Sequence, residues 1–511
     1  MNITRRSLLM GAATVPFLNL RAALAQEQDR KIIFGLSTYP ANIHPWLHAG
    51  TAAATVKFTI HRSLLGYDDE GQIKGELAES WEYEGEGAWL FNLRQNAVWH
   101  DGSPVTAEDI KWNIETAAAP DSTAVLAAQL RDITTIEVVG DKTIRLTTAE
   151  PIRTLPLTFA STYFHMVKMD SITEDQPGIG AGPYVIAADE RGVSIEVEPF
   201  ADYYDDSIPL NPGVRFVAYG DENLRVSALE AGDVDLIEFV PWSAMDRLAE
   251  NDEVKMDHVD TGQFMYLVFN SDVEPFNDPK VRLAVAHAIR RQEIVDAVFF
   301  GQGAPLEGLP IPPSSPIYDE SQDHVYNYDP ELAKQLLAEA GYPDGFKTTI
   351  LSTAQYFMHR DTALVVQQHL AEIGIEAEAV LPDWPTRVGM GDKGEYAIAV
   401  GGLAFSSNDP DGLSDGYSSK LAPSNLRSFN MVVPGLDEAL EAGRREFDEE
   451  KQAAIYDEFK TLAIENAPIV PLTWRRQSYG MRSNVEGFVN LPGSLTNYSG
   501  ITLATTVLED E

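Results

Sequence analysis

The chain has 511 residues, of which 44% are hydrophobic and 9% aromatic, with 38 basic and 78 acidic side chains. This length and composition predict a globular protein of two or three domains. The net charge of −40 repels nucleic acid and anionic lipid, so neither is an expected partner. The acidic surface has two open explanations, solubility or steering of a cationic or zwitterionic solute. The absence of cysteine excludes disulfides, thiolate metal sites and cysteine nucleophiles.

The first 25 residues predict an export signal. The pair Arg5-Arg6 precedes a mildly apolar run, Leu8–Leu20, which is shorter than the roughly 20 residues that span a bilayer. Ala23-Leu24-Ala25 then matches the small-x-small pattern of a signal-peptidase site. The paired arginines favour twin-arginine export over the general secretory route. Because no cysteine can carry a lipid, we expect a soluble periplasmic protein that is not lipid-anchored.

Downstream of this signal, short strands and amphipathic helices are mixed without strict alternation. Strands are predicted at 31–36, 134–139, 143–146 and 194–198, with a hairpin turn at Gly140-Asp141. Helices are predicted at 278–298, 330–340, 361–373 and 437–466. Thr106 is expected to cap a further helix, with Asp109 reaching back to it as a short capping box.

An ordered series of motifs covers most of the chain after the signal. The series begins with Leu64-Leu-Gly-Tyr67, Leu77-Ala-Glu-Ser-Trp81 and Val98-Trp-His-Asp-Gly-Ser-Pro104. It continues with Gly180-Ala-Gly-Pro-Tyr184, Tyr266-Leu-Val-Phe-Asn270, Pro275-Phe-Asn-Asp-Pro279, Asn408-Asp-Pro-Asp411 and Ala467-Pro-Ile-Val-Pro471. The combination resembles the bacterial extracellular solute-binding proteins of family 5, which include the dipeptide, oligopeptide and nickel binders of ABC importers.

The resemblance implies an α/β architecture, the type II periplasmic binding protein fold, with two hinged lobes and an extra domain inserted in the first. On this chain lobe I is expected at 26–66, 181–268 and 476–511, the inserted domain at 67–180 and lobe II at 269–475. The chain should cross between the lobes near Phe269-Asn270 and again near 474–479. Closure of the lobes over a ligand follows from the general behaviour of periplasmic binding proteins.

The same resemblance implies a binding role without catalysis and without a cofactor. The expected partners are a small polar solute and an inner-membrane ABC permease, and the protein is expected to be a monomer. The solute class stays open between peptides, opine-like conjugates, glycosides and other polar organic molecules.

Ligand contacts are expected in loops at strand ends, where aromatic faces and polar groups can converge on a cleft. The candidate ligand-binding residues are Thr38, Tyr39, Trp242, Gln355, Tyr356, Arg360, Trp384, Phe405, Ser406, Asn408 and Asp409. Within this set, Arg360 is the candidate for a bidentate pair with a ligand carboxylate.

Ser406 marks a departure from the family pattern. Dipeptide-binding members carry an aspartate three residues before the Asp-Pro pair, here Asp409-Pro410, and that acid pairs with the ligand ammonium. A serine hydroxyl cannot neutralise a buried cation. Ordinary dipeptides are therefore disfavoured as ligands, and Ser406→Asp is predicted to raise dipeptide affinity.

Other functions are weaker alternatives. Gly412-Leu-Ser-Asp-Gly416 matches the nucleophile elbow of a secreted hydrolase, but it follows a polar loop rather than an apolar strand. His44 and His48 have a spacing that suits a metal, and nickel or metal-chelate binding is the second alternative, although Pro45 disfavours the helix this requires. A periplasmic receptor or chaperone without transport is a third.

Overall fold

The computed structural model describes residues 30–47, 50–173 and 176–509, so the predicted export signal lies outside the described residues. In chain order the strands are β1 (Ile32–Leu36), β2 (Leu65–Tyr67), β3 (Ile73–Gly75), β4 (Ala78–Gly85), β5 (Ala88–Leu93), β6 (Ile133–Gly140), β7 (Thr143–Thr148), β8 (Ile172–Thr173), β9 (Gln176–Pro177), β10 (Tyr184–Glu190), β11 (Ser194–Pro199), β12 (Val214–Ala218), β13 (Leu236–Glu238), β14 (Val254–Val259), β15 (Gln263–Phe269), β16 (Gly303–Pro305), β17 (Phe346–Leu351), β18 (Ile375–Val380), β19 (Ile398–Ala404), β20 (Ile469–Arg475), β21 (Gln477–Arg482), β22 (Val485–Glu486) and β23 (Val507–Leu508).

The helices are α1 (Gly50–Ile60), α2 (Ala107–Ala117), α3 (Ala127–Leu130), α4 (Leu155–Thr158), α5 (Glu222–Ala231), α6 (Trp242–Ala249), α7 (Pro279–Ala288), α8 (Arg291–Phe299), α9 (Pro330–Glu339), α10 (Phe357–Glu372), α11 (Trp384–Asp392), α12 (Ser414–Tyr417), α13 (Leu436–Arg445) and α14 (Glu449–Asn466). Short 3₁₀ segments occur at Glu320–Gln322, Pro410–Leu413 and Gly493–Thr505. Within the described residues, no helix combines the length and the apolar character needed to cross a bilayer.

Two large mixed sheets organise the molecule. The first sheet has seven strands in the order β10-β11-β12-β1-β13-β21-β14, and the second has six in the order β16-β20-β15-β19-β17-β18. A separate antiparallel sheet, β4-β5-β7-β6, is built from the segment between β1 and β10, which both belong to the first sheet. Assignment of these parts to two hinged lobes and an inserted domain remains our proposal.

β15 shows why the second sheet lies deep in the molecule. All seven of its residues are buried, and alternate side chains pack into two different cores. Phe264, Tyr266 and Val268 belong to one core, while Met265 and Leu267 belong to the other. Such a continuous apolar strand is typical of a sheet covered on both faces.

β14 and β15 show where the chain passes from the first sheet to the second, a point earlier than the expected crossing between lobes. β14 ends at Val259 and pairs with β21 in the first sheet, whereas β15 begins at Gln263 and pairs with β19 and β20 in the second. The chain therefore passes between the sheets before Gln263 and not near Phe269-Asn270. The chain returns to the first sheet between Arg475 and Gln477.

Local predictions hold where the signal is local. The capping box forms, since the Thr106 side chain accepts from the backbone N–H of Asp109 and the Asp109 carboxylate accepts from that of Thr106. The hairpin of β6 and β7 is confirmed, but Gly140 pairs with Thr143, so its turn is Asp141-Lys142, one residue later than predicted.

Two long helices predicted from periodicity are each divided in the structure. The predicted helix 278–298 is divided at Ile289, which is buried with an extended backbone, before α8 begins at Arg291. The predicted helix 437–466 is divided between α13 and α14, where Phe447 stacks on Tyr83 at 4.3 Å between ring centres. Tertiary contacts override the helical pattern at both places.

Candidate ligand-binding site

The carboxyl ends of parallel strands bring the candidate residues to one edge of each sheet. In the first sheet β1 runs parallel to β12 and β13, so the residues after Leu36 and Glu238 emerge together. In the second sheet β17, β18 and β19 are parallel, and Leu351, Val380 and Ala404 end at one edge. Ligands of α/β proteins commonly bind at such edges.

The two edges meet at what we call the sheet junction, formed by Trp242, Phe357 and Arg475-Arg476. Trp242 begins α6 just after β13, and its indole N–H donates to the carbonyl oxygen of Arg476 at 2.8 Å. Its ring also packs edge-on against Phe357, the first residue of α10. The predicted residue Trp242 therefore lies where the first sheet contacts the second.

The two predicted residues after β1 take different positions. Thr38 is exposed at the strand end. The Tyr39 hydroxyl donates to Asp189 at 2.5 Å and lines a separate cavity of about 600 Å³, which His61, His100 and Arg191 also line. The structure thus places Tyr39 away from the sheet junction.

Three predicted residues that follow strands of the second sheet, Gln355, Tyr356 and Trp384, lie together. Tyr356 packs edge-on against Trp384 with ring centres 5.1 Å apart, and the backbone N–H of Trp384 donates to the side-chain oxygen of Gln355 at 3.3 Å. Tyr356 is 40% exposed, which leaves aromatic surface available to a ligand. Arg360 is not available in the same way, because its guanidinium pairs with the adjacent Asp361 at 2.7 Å.

Of the predicted residues in the segment after β19, three make contacts within the protein and one, Ser406, is exposed. Phe405 is buried against Phe264 in the core. Asn408 and Asp409 hold other segments, because Asn408 accepts from the backbone of Ser494 and Asp409 forms an ion pair with Arg153 at 2.7 Å. Ser406 remains exposed.

Ser406 lines a cavity of about 280 Å³ between the segment 126–161 and the segment after β19. Its polar lining includes Asp132, Thr154, Thr158, Ser161, Ser406, Ser407, Asp411, Ser414, Asp415 and Arg444. Arg444 is neutralised by Asp411, with 3.0 Å between guanidinium and carboxylate. The lining therefore offers hydroxyls and carboxylates to a ligand rich in hydrogen-bond donors.

Asp415 is a member of this lining that the sequence did not single out. One of its carboxylate oxygens accepts from the backbone N–H of Ser406 at 2.7 Å. Burial, and secondarily the charge of Asp411, raises the pKa of Asp415 above its ordinary value. A cationic group in the cavity would favour the charged carboxylate of Asp415 and so offset the cost of burying that charge.

The structure describes one of the two rival motifs completely. Ser414 begins the short helix α12 directly after a 3₁₀ turn, so it lacks the strand-to-helix setting of a nucleophile elbow. His48 lies outside the described residues, and within those residues no group of three potential metal ligands occurs.

Comparison with known proteins gives the family. The family model described as "Bacterial extracellular solute-binding proteins, family 5 Middle" matches residues 72–425. The chain belongs to this family. The predicted resemblance and the type II periplasmic binding protein fold are thereby confirmed, and family 5 membership assigns a binding, non-enzymatic role as a substrate-binding protein of ABC importers.

Individual relatives cover nearly the whole family 5 chain. The glutathione-binding protein GsiB of Salmonella typhi is 26% identical over 484 residues, covering 92% of this chain and 94% of the relative. The structure of AgaA from A. tumefaciens R10 with agropinic acid is 36% identical, with a TM-score of 0.85 over 94% of this chain and 99% of AgaA. DppA of Helicobacter pylori with the peptide STSA is 21% identical, with a TM-score of 0.80 over 96% of this chain and all of DppA, and supports the fold alone.

Proposed function

We propose that this family 5 protein captures a peptide-like or opine-like polar solute in the cleft between its two sheets and delivers it to an inner-membrane ABC permease. The observation that carries the proposal is the contact between strand-end residues of the two sheets, where Trp242 packs on Phe357 and the preceding residue, Tyr356, packs on Trp384. Aromatic surface and a few directed polar groups in a concave site are what a small polar ligand requires.

The relatives support this ligand class. GsiB is named for glutathione, and AgaA was solved with agropinic acid, an organic acid. Glutathione and a free peptide each combine an ammonium group with carboxylate, while agropinic acid supplies an acid. We therefore place amino-acid-derived acids ahead of glycosides as candidate solutes.

The cavity chemistry alters the expectation about dipeptides. Ser406 occupies the family's aspartate position, but the neighbouring Asp415 brings a carboxylate to the same cavity. Asp415 can accept from a ligand ammonium or from hydroxyl groups. An ammonium-bearing solute therefore belongs among the candidates, together with a polyhydroxylated opine.

Several features of the biological setting are part of the proposal. Twin-arginine export, a periplasmic location without a lipid anchor and a monomeric state follow from the sequence pattern and the family. Nucleic acid is not an expected partner, because the net charge is −40. Family membership disfavours the hydrolase and gives no support to nickel or chelate binding over organic solutes.

A thermal-shift screen of the purified protein tests the proposal. The panel contains opine acids, glutathione, di- to tetrapeptides, sugars and nickel chelates. A ligand at about 100 times its Kd adds roughly 2.7 kcal/mol of stability, which raises Tm measurably. We expect stabilisation by an opine acid or a peptide, whereas stabilisation by sugars or nickel chelates alone would overturn the proposed ligand class.

A further inference from the structure

A guanidinium without an ion pair lies at the sheet junction. Arg475 is the last residue of β20, and its Nη1 contacts the thioether sulfur of Met358 at 3.2 Å. Its Nε is buried and has no hydrogen-bond partner among the described residues. A thioether is a weak acceptor, and within the described chain the guanidinium has no hydrogen-bonded ion pair with a carboxylate, which is the strongest interaction it can form.

The surroundings of Arg475 are positive, although the whole chain is strongly acidic. Arg387 lies nearby and bonds only neutral oxygens, those of Asn425 and Val400, at 2.5 Å. Both arginines act on His359. Burial is the largest cause of its lowered pKa, the charges of Arg475 and Arg387 follow, and together they lower the pKa of His359 to about 3. Neither arginine forms an ion pair with a described carboxylate. The local field therefore favours an anion.

Other buried polar atoms near the junction also lack partners. Thr473 lies two residues before Arg475 on the same face of β20, and its hydroxyl is buried and unbonded. Nδ1 of His359, a residue that is 4% exposed, is likewise unbonded. Unpaired buried polar atoms in a folded protein are costly, so each calls for an explanation, and a ligand that bonds them is one.

Arg475 also lies near the aromatic residues of the sheet junction. The residue is half-buried rather than enclosed, and the next residue, Arg476, accepts the hydrogen bond from Trp242. Met358 is only two positions after Tyr356, which packs against Trp384. A solute lying on these aromatic rings would place an acidic group next to the guanidinium.

We infer that Arg475, and not Arg360, holds the carboxylate of the bound solute, with Thr473 and neutral His359 as supporting hydrogen-bond partners. The inference rests on the proposed function and specifies its ligand as an organic acid. A guanidinium and a carboxylate can form two parallel hydrogen bonds, and the lack of a protein acid leaves both free for the ligand. Arg360 lacks this freedom, because Asp361 already neutralises it.

The test compares acids with their neutral amides on matched variants. Calorimetric Kd values are measured for agropinic acid, glutathione and Ala-Ala-Ala, and for the carboxamide of each, on wild type, Arg475→Gln and Arg360→Gln. We expect Arg475→Gln to weaken binding of the preferred acid at least about 30-fold while leaving the affinity for its amide nearly unchanged. Arg360→Gln, the matched control, should leave both affinities unchanged.

The apoprotein's Tm separates ligand binding from a structural role. Arg475→Gln removes a partly buried cation that has no ion pair, so Tm without ligand should stay the same or rise. A lower Tm together with an equal loss of acid and amide binding would overturn the inference, as would undiminished acid binding. If wild type bound none of the acids or peptides, the proposed function itself would fail, and this assignment with it.

Discussion

The backbone N–H of Ser406 donates to the carboxylate of Asp415 at 2.7 Å, across nine positions of sequence. Both residues line the same cavity. An acid is therefore present beside the position where dipeptide-binding members of the family have their aspartate. We expect the Asp415 carboxylate to supply the negative charge that Ser406 lacks.

Asp415→Asn is expected to discriminate between ligands with and without a free ammonium group. The change removes a charged hydrogen-bond acceptor, so the Kd of an ammonium-bearing peptide should rise about 10-fold or more, while that of its N-acetyl analogue stays unchanged. Isothermal titration measures both. Asp189→Asn, in the separate cavity beside Tyr39, is the matched control and should change neither Kd. Equal losses for both peptides would exclude Asp415 as the ammonium partner.

The same substitution has a predictable effect on the apoprotein. Burial raises the pKa of Asp415, so the folded state disfavours the charged carboxylate at pH 7. This cost is absent below the ordinary pKa of a carboxyl and appears as the pH rises above it. Asp415→Asn should therefore leave the apoprotein's Tm at pH 7 unchanged or higher, and a clear decrease would assign Asp415 a structural role.

Trp384→Ala should weaken solute binding about 10-fold through lost aromatic contact, with a small effect on folding. The indole is half-buried beside Tyr356 and His359 at the beginning of α11. Ligand binding should also change the tryptophan fluorescence of wild type, and this change should decrease in the variant. Trp81→Phe, in the four-stranded sheet, is the control that retains both the affinity and the signal.

Much of the fold was predictable because its signals are local. The capping box at Thr106 and the hairpin at Gly140 depend on neighbouring residues and are seen directly in the sequence. The division between α13 and α14 was missed, because it depends on Phe447 stacking against Tyr83 more than 300 positions away in the chain. The apolar periodicity of the sequence continues through this position, so it predicts one unbroken helix.

In the candidate site too, local features could be predicted from the sequence, whereas features that depend on distant contacts could not. Tyr356 and Trp384 were predicted as aromatic residues in loops at strand ends, and they follow β17 and β18, two parallel strands that the sequence analysis did not name. Arg475 could not be recognised, since its lack of an ion pair depends on which residues pack around it, such as Met358, 117 positions away. The neutralisation of Arg360 by Asp361 was visible in the sequence as an adjacent opposite charge.

Gly262→Ala is expected to destabilise the passage between the two sheets. Gly262 has a φ of +99°, and an added Cβ would lie 2.2 Å from the carbonyl carbon of Gly493. The backbone must shift, so the free energy of unfolding should fall by about 2 to 4 kcal/mol. Gly192 also has a positive φ but has no heavy atom within 4 Å of such a Cβ. Gly192→Ala should therefore cost only about 1 kcal/mol in chemical denaturation, and equal costs would exclude the close contact as the cause.

Lys57 predicts a specific dependence of stability on pH. Its ammonium is 1% exposed and donates to the carbonyl oxygens of Leu47 and Thr162, and burial lowers its pKa to about 8. The folded state therefore disfavours the charged form, and this penalty decreases as the pH rises from 7 toward the unfolded pKa near 10.4. Relative to Lys57→Met, wild type should gain about 2 kcal/mol of unfolding free energy between pH 7 and 9.5. Parallel curves for the two proteins would contradict the lowered pKa.

Solute capture without turnover is tested most directly by titrating the purified protein with an opine acid or a peptide and then recovering the ligand. We expect saturable heat with one site per chain, and a ligand whose mass is unchanged after prolonged incubation. Saturation should be lost when Arg475→Gln and Asp415→Asn are combined. Conversion of the ligand, or the same saturable binding in the double variant, would contradict solute capture without turnover through Arg475 and Asp415.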